Sequence, residues 1–423
     1  MSFNTALSGL RAANQDLAVT GNNIANASTT GFKESRTQFG DVYANSILGT
    51  GARTPGSGVL VNSIAQQFSQ GNINITNNSL DLAINGNGFF IVNNQGTPTY
   101  TRAGNFGLDN QGFITSTNGG RLQGYKADAT GAILSGAPQD LQIQTDNINP
   151  SATTKVNLQL QLDSTQTVPA TATFSTTDPT SYNWSTAATV YDSLGNSHLL
   201  TTYYVKTATV PAGGGSQWDV HSDLDSSGTA HALGSLTFNT SGSLTGTVAV
   251  PVPPAAGVPS TAVALGDTWT VGTSANAMNF VVDYGSSTQY GTASTINALD
   301  QDGYATGRLA GINIDDSGTV FARYSNGQAL TLGQIAIANF ANPQGLAPVG
   351  NTSWAESFDS GQPTIGTPKS GSRGTIQAGA LEDSNVDISS QLVNLILAQR
   401  NYQANAKTIE TDNAVTQTII NLR

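Results

Sequence analysis

The stretch ISSQLVNLILAQRNYQANAKTIETDNAVTQTII, residues 388–420, decides how this chain is read. Ile388, Leu392, Leu395, Gln399, Tyr402, Ala406, Ile409, Asn413, Thr416 and Ile420 follow one another in steps of 4 and 3. A mean step of 3.5 residues is the seam spacing of a coiled coil. No Gly or Pro interrupts Ser384 to Arg423, and Ser384 with Asp387 resembles a capping box with Asp in place of Glu. The spacing predicts a helix from Ser384 to Arg423.

The other end mirrors it. Phe3, Leu7, Leu10, Leu17 and Ile24 fall on the same steps, with Asn14 and Gly21 filling the missing turns. This predicts a helix from Ser2 to Ala27, ended by Thr29-Thr30-Gly31. The two ends can pack on each other as an intramolecular hairpin or against neighbouring copies, and the pattern leaves both open. A bare two-helix hairpin is marginal against the cost of ordering its backbone.

Between the ends the signal is β. Leu80, Leu82 and Ile84 alternate, Asn85-Gly86-Asn87-Gly88 marks a turn, and Phe89-Phe90-Ile91-Val92 starts a strand. Asp109 to Gly112, Asp315 to Gly318 and Ser325 to Gln328 are further turns. Residues 146–284 have a different texture, rich in Thr, Ser, Val and Pro, with strands expected at 156–162, 188–191, 198–205, 218–221, 236–238 and 269–271. The Pro-rich run Val248 to Pro254 reads as a loop, an edge or a contact with a neighbour. The fold expected is mainly β with α-helical termini, in nested domains: 1–30 with 380–423 as a helical pair forming a coiled coil, 31–70 as an extended connector, 71–145 with 285–379 as a first β domain, and 146–284 as an inserted outer β domain. Whether the insert is one domain or two is left open.

Composition removes several functions. Of 423 residues only 16 are Lys or Arg and 27 Asp or Glu, so charged side chains make up 10%, well under the usual share of about 25%. The net charge of −11 argues against a nucleic-acid binder, which needs a basic face. Without Cys there is no disulfide or thiolate metal site. No run of about 20 apolar residues is present to span a membrane, and the N-terminus lacks a secretory-signal pattern.

Catalytic and metal motifs fare no better. His198, His221 and His231 are the three His, and no Gly-x-Ser-x-Gly elbow lies near them. Asp223, Asp225, Ser227 and Gly228 fit the start of a calcium loop, but Gly234 stands where a bidentate Glu is required. Gly86-Asn87-Gly88 is only the start of a dinucleotide fingerprint, and no helix follows. Neither an enzyme nor a cofactor is expected.

Longer motifs carry a family resemblance. The runs Ala6 to Leu10 and Gly21 to Lys33, with Asn22, Asn23, Asn26, Gly31 and Phe32, resemble the flagellar rod and hook subunit family. So do Asn85, Gly86, Gly88 and Phe89 in the run 85–92, and Arg102, Gly104 and Phe106 in the run 100–106. The run Leu381 to Ala406, with Arg400, Asn401 and Tyr402, is similar as well. Residues 301–307 and 337–346, together with the large insert, are similar to hook members of that family rather than distal rod members.

The resemblance implies a structural subunit that polymerises with copies of itself into a short, curved, hollow tube, a universal joint carrying torque from motor to filament. Its terminal helices would form the inner tube, with Phe3, Leu7, Leu10, Asn14, Leu17, Ile24, Ile388, Leu392, Leu395, Tyr402, Ile409 and Ile420 as assembly residues. Implied partners are the flagellar rod, the hook cap and hook–filament junction proteins, and the flagellar type III export apparatus. The implied location is the extracellular flagellum, with no nucleic acid and no membrane insertion. A distal rod subunit, or a secreted β-rich adhesin holding a ligand in the insert, are the competing expectations.

Overall fold

The computed structural model describes residues 2–42, 56–128, 130–144, 146–211, 213–249, 264–270 and 275–421. The chain divides into two compact units. One comprises Met1–Thr145, Ala310–Arg323 and Ala329–Arg423; the other comprises Asp146–Leu309 and Tyr324–Gln328. The Pro-rich run from Val250 to Pro254 and the expected strand end at Val271 lie outside the described residues.

The first unit begins and ends in helices, α1 (Ser2–Ala25) and α2 (Ile388–Asn421). α2 starts later than Ser384 because Asp387 is the cap. Its carboxylate accepts from Ser389 N at 2.8 Å and Ser390 N at 3.3 Å, which serves the orphan amides of the first turn. After α1 the chain makes a two-stranded antiparallel ribbon, β1 (Ser35–Asp41) and β2 (Val59–Gln66), with a bulge between Gln38 and Phe39. The expected extended connector is therefore a hairpin, and its strands satisfy each other's backbone groups.

The apolar run Phe89-Phe90-Ile91-Val92 is buried on both faces, which makes Phe89–Asn94 a central strand. It pairs with Thr97–Thr101 on one side and with Arg121–Lys126 and Ile337–Asn339 on the other. Phe89, Tyr100, Phe340 and Trp354 form an aromatic core beneath it, and Tyr100 and Phe340 meet edge-to-face at 4.8 Å. Asp109 and Asp315 build their turns alike. Each carboxylate accepts from the backbone N–H groups two and four residues on, and Gly112 or Gly318 takes the positive φ.

Among the described residues, the second unit has two five-stranded sheets. One runs through Trp184–Tyr191, Ser197–Lys206, Ser216–Leu224, His231–Phe238 and Leu244–Ala249. The other holds Ala264–Trp269, Met278–Asp283, Lys155–Asp163, Thr288–Tyr290 and Thr295–Gln301. Side chains from both, Trp218, Tyr204, Phe238, Phe280 and Tyr284 among them, form a single hydrophobic cluster. One shared core makes this unit one domain. It also reaches beyond residue 284, because Thr295–Gln301 pairs antiparallel with Lys155–Asp163.

Candidate assembly interface

α1 and α2 pack against each other. Asn23 Nδ2 donates to Gln391 Oε1 at 3.2 Å, and a Cβ added at Gly9 would meet Asn405 Oδ1 at 2.6 Å. Both pairs place residue n of α1 opposite residue 414 − n of α2, so the helices run antiparallel. On α1 the contact face is Ala6, Gly9, Ala13, Thr20 and Asn23; on α2 Gln391 and Ala398 are buried. Small residues let the two backbones approach closely.

That seam is not the stripe expected from the sequence. The apolar stripe of α1 sits one residue on from the small-residue stripe, about 100° around the helix. Leu7, Leu10, Leu17 and Ile24 are half-buried, Asn14 is exposed and Phe3 is 42% exposed. On α2, Leu395 and Ile409 are half-buried, while Ile388, Leu392, Tyr402 and Ile420 are exposed. Val393, Ile396 and Leu397, further round the helix, are exposed as well, with Ile396 at 50%. Arg400 and Asn401 are also exposed. The closest intramolecular contacts thus use small and polar side chains, while most of the large aliphatic ones stay half-buried or exposed.

The remaining motif residues gather at the base of the helices. Thr375–Ala378 pairs with Leu82–Asn85, and Ala380–Glu382 with Ile73–Ile75, zipping the two ends of the chain together just before α2. Glu382 is fully buried between two cations. Lys33 Nζ donates to its Oε1 at 2.6 Å, Arg102 Nη1 to its Oε2 at 3.0 Å, and Gly71 N to Oε1 at 2.9 Å. Lys33 also donates to Ser69 O, and Arg102 Nη2 to Gly86 O. Burial pushes the Lys33 ammonium below its ordinary value against the opposing pull of Glu382, and Arg102 is lowered for the same reason.

Gly31 N donates to Glu382 O; its φ is +68°, and an added Cβ would meet Ala103 N at 2.5 Å. Phe32 N closes the turn onto Thr29 O, and Asn22 O accepts from Asn26 Nδ2. Asn23 bridges three elements, since it also donates to Ser35 O and accepts from Ser35 N. Gly104 O accepts from Leu82 N, and Phe106 stands edge-on to Phe90 at 5.3 Å. Gly86 and Gly88 take positive φ between Asn85 and Phe89. Sequence reasoning quoted Lys33 and Glu382 within motifs but gave them no role. Apposition of Lys33 with Glu382, 349 positions apart, is set by the fold alone.

The three His belong to other settings. His198 lies between Asp225 and Asp192, and His221 stacks on Phe174 at 4.1 Å. His231 and Ser222 both bond the Asp267 carboxylate, so the imidazole is not placed to take a proton from that hydroxyl. Asp223 caps Ser227 N while Asp225 serves His198 and Leu199 N, so the two do not converge as in a calcium loop.

Paired terminal helices clasped onto the β structure of the first unit, in a chain that carries a second β unit between its ends, define a flagellar axial subunit of the rod and hook class. Family models agree along the chain: flagella basal body rod protein at residues 3–33, flagellar hook protein FlgE/F/G D1 domain at 83–164, flagellar basal body protein FlaE D2 domain at 160–304, and flagellar basal body rod FlgEFG protein C-terminal at 377–422. The flagellar hook protein FlgE of Salmonella typhimurium is 40% identical over 435 residues, and that of Escherichia coli 38% over 429, each covering 100% of both chains. The crystal structure of Helicobacter pylori flagellar hook protein FlgE2 is similar in fold, with TM-score 0.54 at 15% identity, covering 73% of this chain and 100% of that one. The chain belongs to the flagellar hook protein family.

Proposed function

We propose that the chain is the structural subunit of a bacterial flagellar hook and polymerises through its terminal helices into a curved, hollow tube that serves as a universal joint. The observation that carries this is the unpaired aliphatic face of the helix pair. Among the described residues, Phe3, Leu7, Leu10, Leu17 and Ile24 on α1, with Ile388, Leu392, Val393, Ile396 and Leu397 on α2, are half-buried or exposed. Apolar patches of this kind mark association surfaces. Exposed Arg400, Asn401 and Tyr402 would extend the contact between copies. The β units form the outer layers of the tube, and the Lys33–Glu382–Arg102 cluster fixes the helices to the first of them.

A bending tube needs contacts between copies that shift at low cost. A surface with few charges supplies weak, interchangeable polar contacts, where fixed ion pairs would set one register. Flagellar rod, hook cap and hook–filament junction proteins are the partners this role calls for, with export through the flagellar type III apparatus. Electron microscopy of the purified chain under polymerising conditions tests the reading. Short curved tubes are expected; a chain that stays monomeric under all conditions overturns it.

A further inference from the structure

The antiparallel register has a structural remainder. Residue n of α1 faces residue 414 − n of α2, so Ser2 lies opposite Asp412 and α2 continues past the described end of α1 for about nine residues, roughly 14 Å. Its α1-facing residues Gln391, Ala398 and Asn405 recur every seven positions, and the same step leads on to Asp412 and Ile419. Val415, Ile419 and Ile420 are 53%, 62% and 65% exposed.

A groove of about 510 Å³ lies on the other side of α1, between Asn4, Leu7, Ser8, Arg11, Ala12 and Gln15 of α1 and Val59, Leu60 and Val61 of β2. Positions 4, 8, 11 and 15 are turned away from the α2-facing stripe, so this chain's own α2 passes along the opposite face of α1. We propose that the α2 overhang of one copy, residues 413–421, seats in the α1–β2 groove of a second copy. This rests on the self-assembly reading and names one of its contacts.

The two surfaces match. The groove is apolar at Leu7 and Val59 to Val61, neutral at Asn4, Ser8 and Gln15, and charged only at Arg11. The overhang is apolar at Val415, Ile419 and Ile420, neutral elsewhere, and carries no charged side chain. Helix C-terminal carbonyls present a partial negative charge, and no basic residue lies in the last turn of α2. Arg11 supplies a cation to that end. The chain's own α2 does not reach this groove, because it passes antiparallel along the other side of α1 and would have to reverse direction to enter it.

The chain has no Cys, so engineered pairs report without background. Leu60→Cys and Ile419→Cys, placed separately in two full-length chains and mixed, are expected to give disulfide-linked dimers in the polymer and none in dilute monomer. The doubly substituted chain is expected to give a ladder of linked multimers. A chain ending at residue 412 is expected to keep the circular dichroism of both β units and lose at least tenfold in sedimentable polymer. Polymer that forms without the cross-link, or a shortened chain that polymerises as well as the full one, overturns the docking while leaving self-assembly intact. An unaltered chain that never polymerises overturns the self-assembly reading and the docking with it.

Discussion

Replacing Glu382 by Gln removes the anion between two buried cations and leaves Lys33 and Arg102 facing an amide. The carboxylate now accepts from Lys33 at 2.6 Å, Arg102 at 3.0 Å and Gly71 N at 2.9 Å, with Lys33 and Glu382 side chains both fully enclosed. Taking away one partner of a buried ion network costs about 3–5 kcal/mol, since the remaining charge stays desolvated. At about 1.36 kcal/mol per decade, the unfolding equilibrium of the first unit rises about 150- to 5,000-fold. The assay is native-state hydrogen exchange read peptide by peptide. Protection of Leu82–Asn94 and Thr375–Ala378 is expected to fall by that amount, while peptides from Trp184–Leu224 keep theirs. Adding Lys33→Met removes one stranded cation, so the double variant is expected to lose less than the sum of the single ones. A loss under about 1 kcal/mol for Glu382→Gln, or an equal loss in both units, refutes the clasp.

Other perturbations address the helices and the turns. Leu10→Asp and Leu395→Asp place a charge on the proposed association face, and each is expected to abolish polymer in a sedimentation assay while leaving the β signal of the monomer unchanged. Gly9→Val drives a branched side chain into Asn405 and is expected to cost about 1–3 kcal/mol of helix-pair stability, read as faster exchange in α1 and α2. Side-chain hydrogen bonds, seconded by backbone N–H groups, hold the carboxyls of Asp128 (from Thr130), Asp163 (from Thr165) and Asp178 (from Thr180) below their ordinary values. Their folded forms bind fewer protons than the unfolded chain, so the contribution is present above about pH 3.9 and lost as pH falls through the depressed values. Carboxyl chemical shifts followed by NMR should titrate below pH 3.9 at these three; ordinary values there would remove the turns from the account of acid softening.

Reading the fold from sequence succeeded where pattern is local. Heptad steps placed both helices, glycine and aspartate placed the turns at 109–112 and 315–318, and the apolar run at 89–92 placed a strand. It failed where two distant stretches must be compared. The ribbon of β1 and β2 carries no strong alternation, so its pairing of Ser35–Asp41 with Val59–Gln66 was not marked in either strand. The shared core of the second unit could not be divided or joined from strand texture, because both sheets read alike.

The sequence by itself determined that both ends are amphipathic helices and that the interior is β, because period and turn chemistry act within a few residues. Only the tertiary structure decided which face of α1 meets α2. Size, not hydrophobicity, settles it: Ala6, Gly9 and Ala13 admit a close neighbour, and Leu7, Leu10 and Leu17 are left half-buried beside the seam. Likewise, only the fold could bring Lys33, Arg102 and Glu382 together, because a buried charge is tolerable only where its partner arrives from elsewhere in the chain.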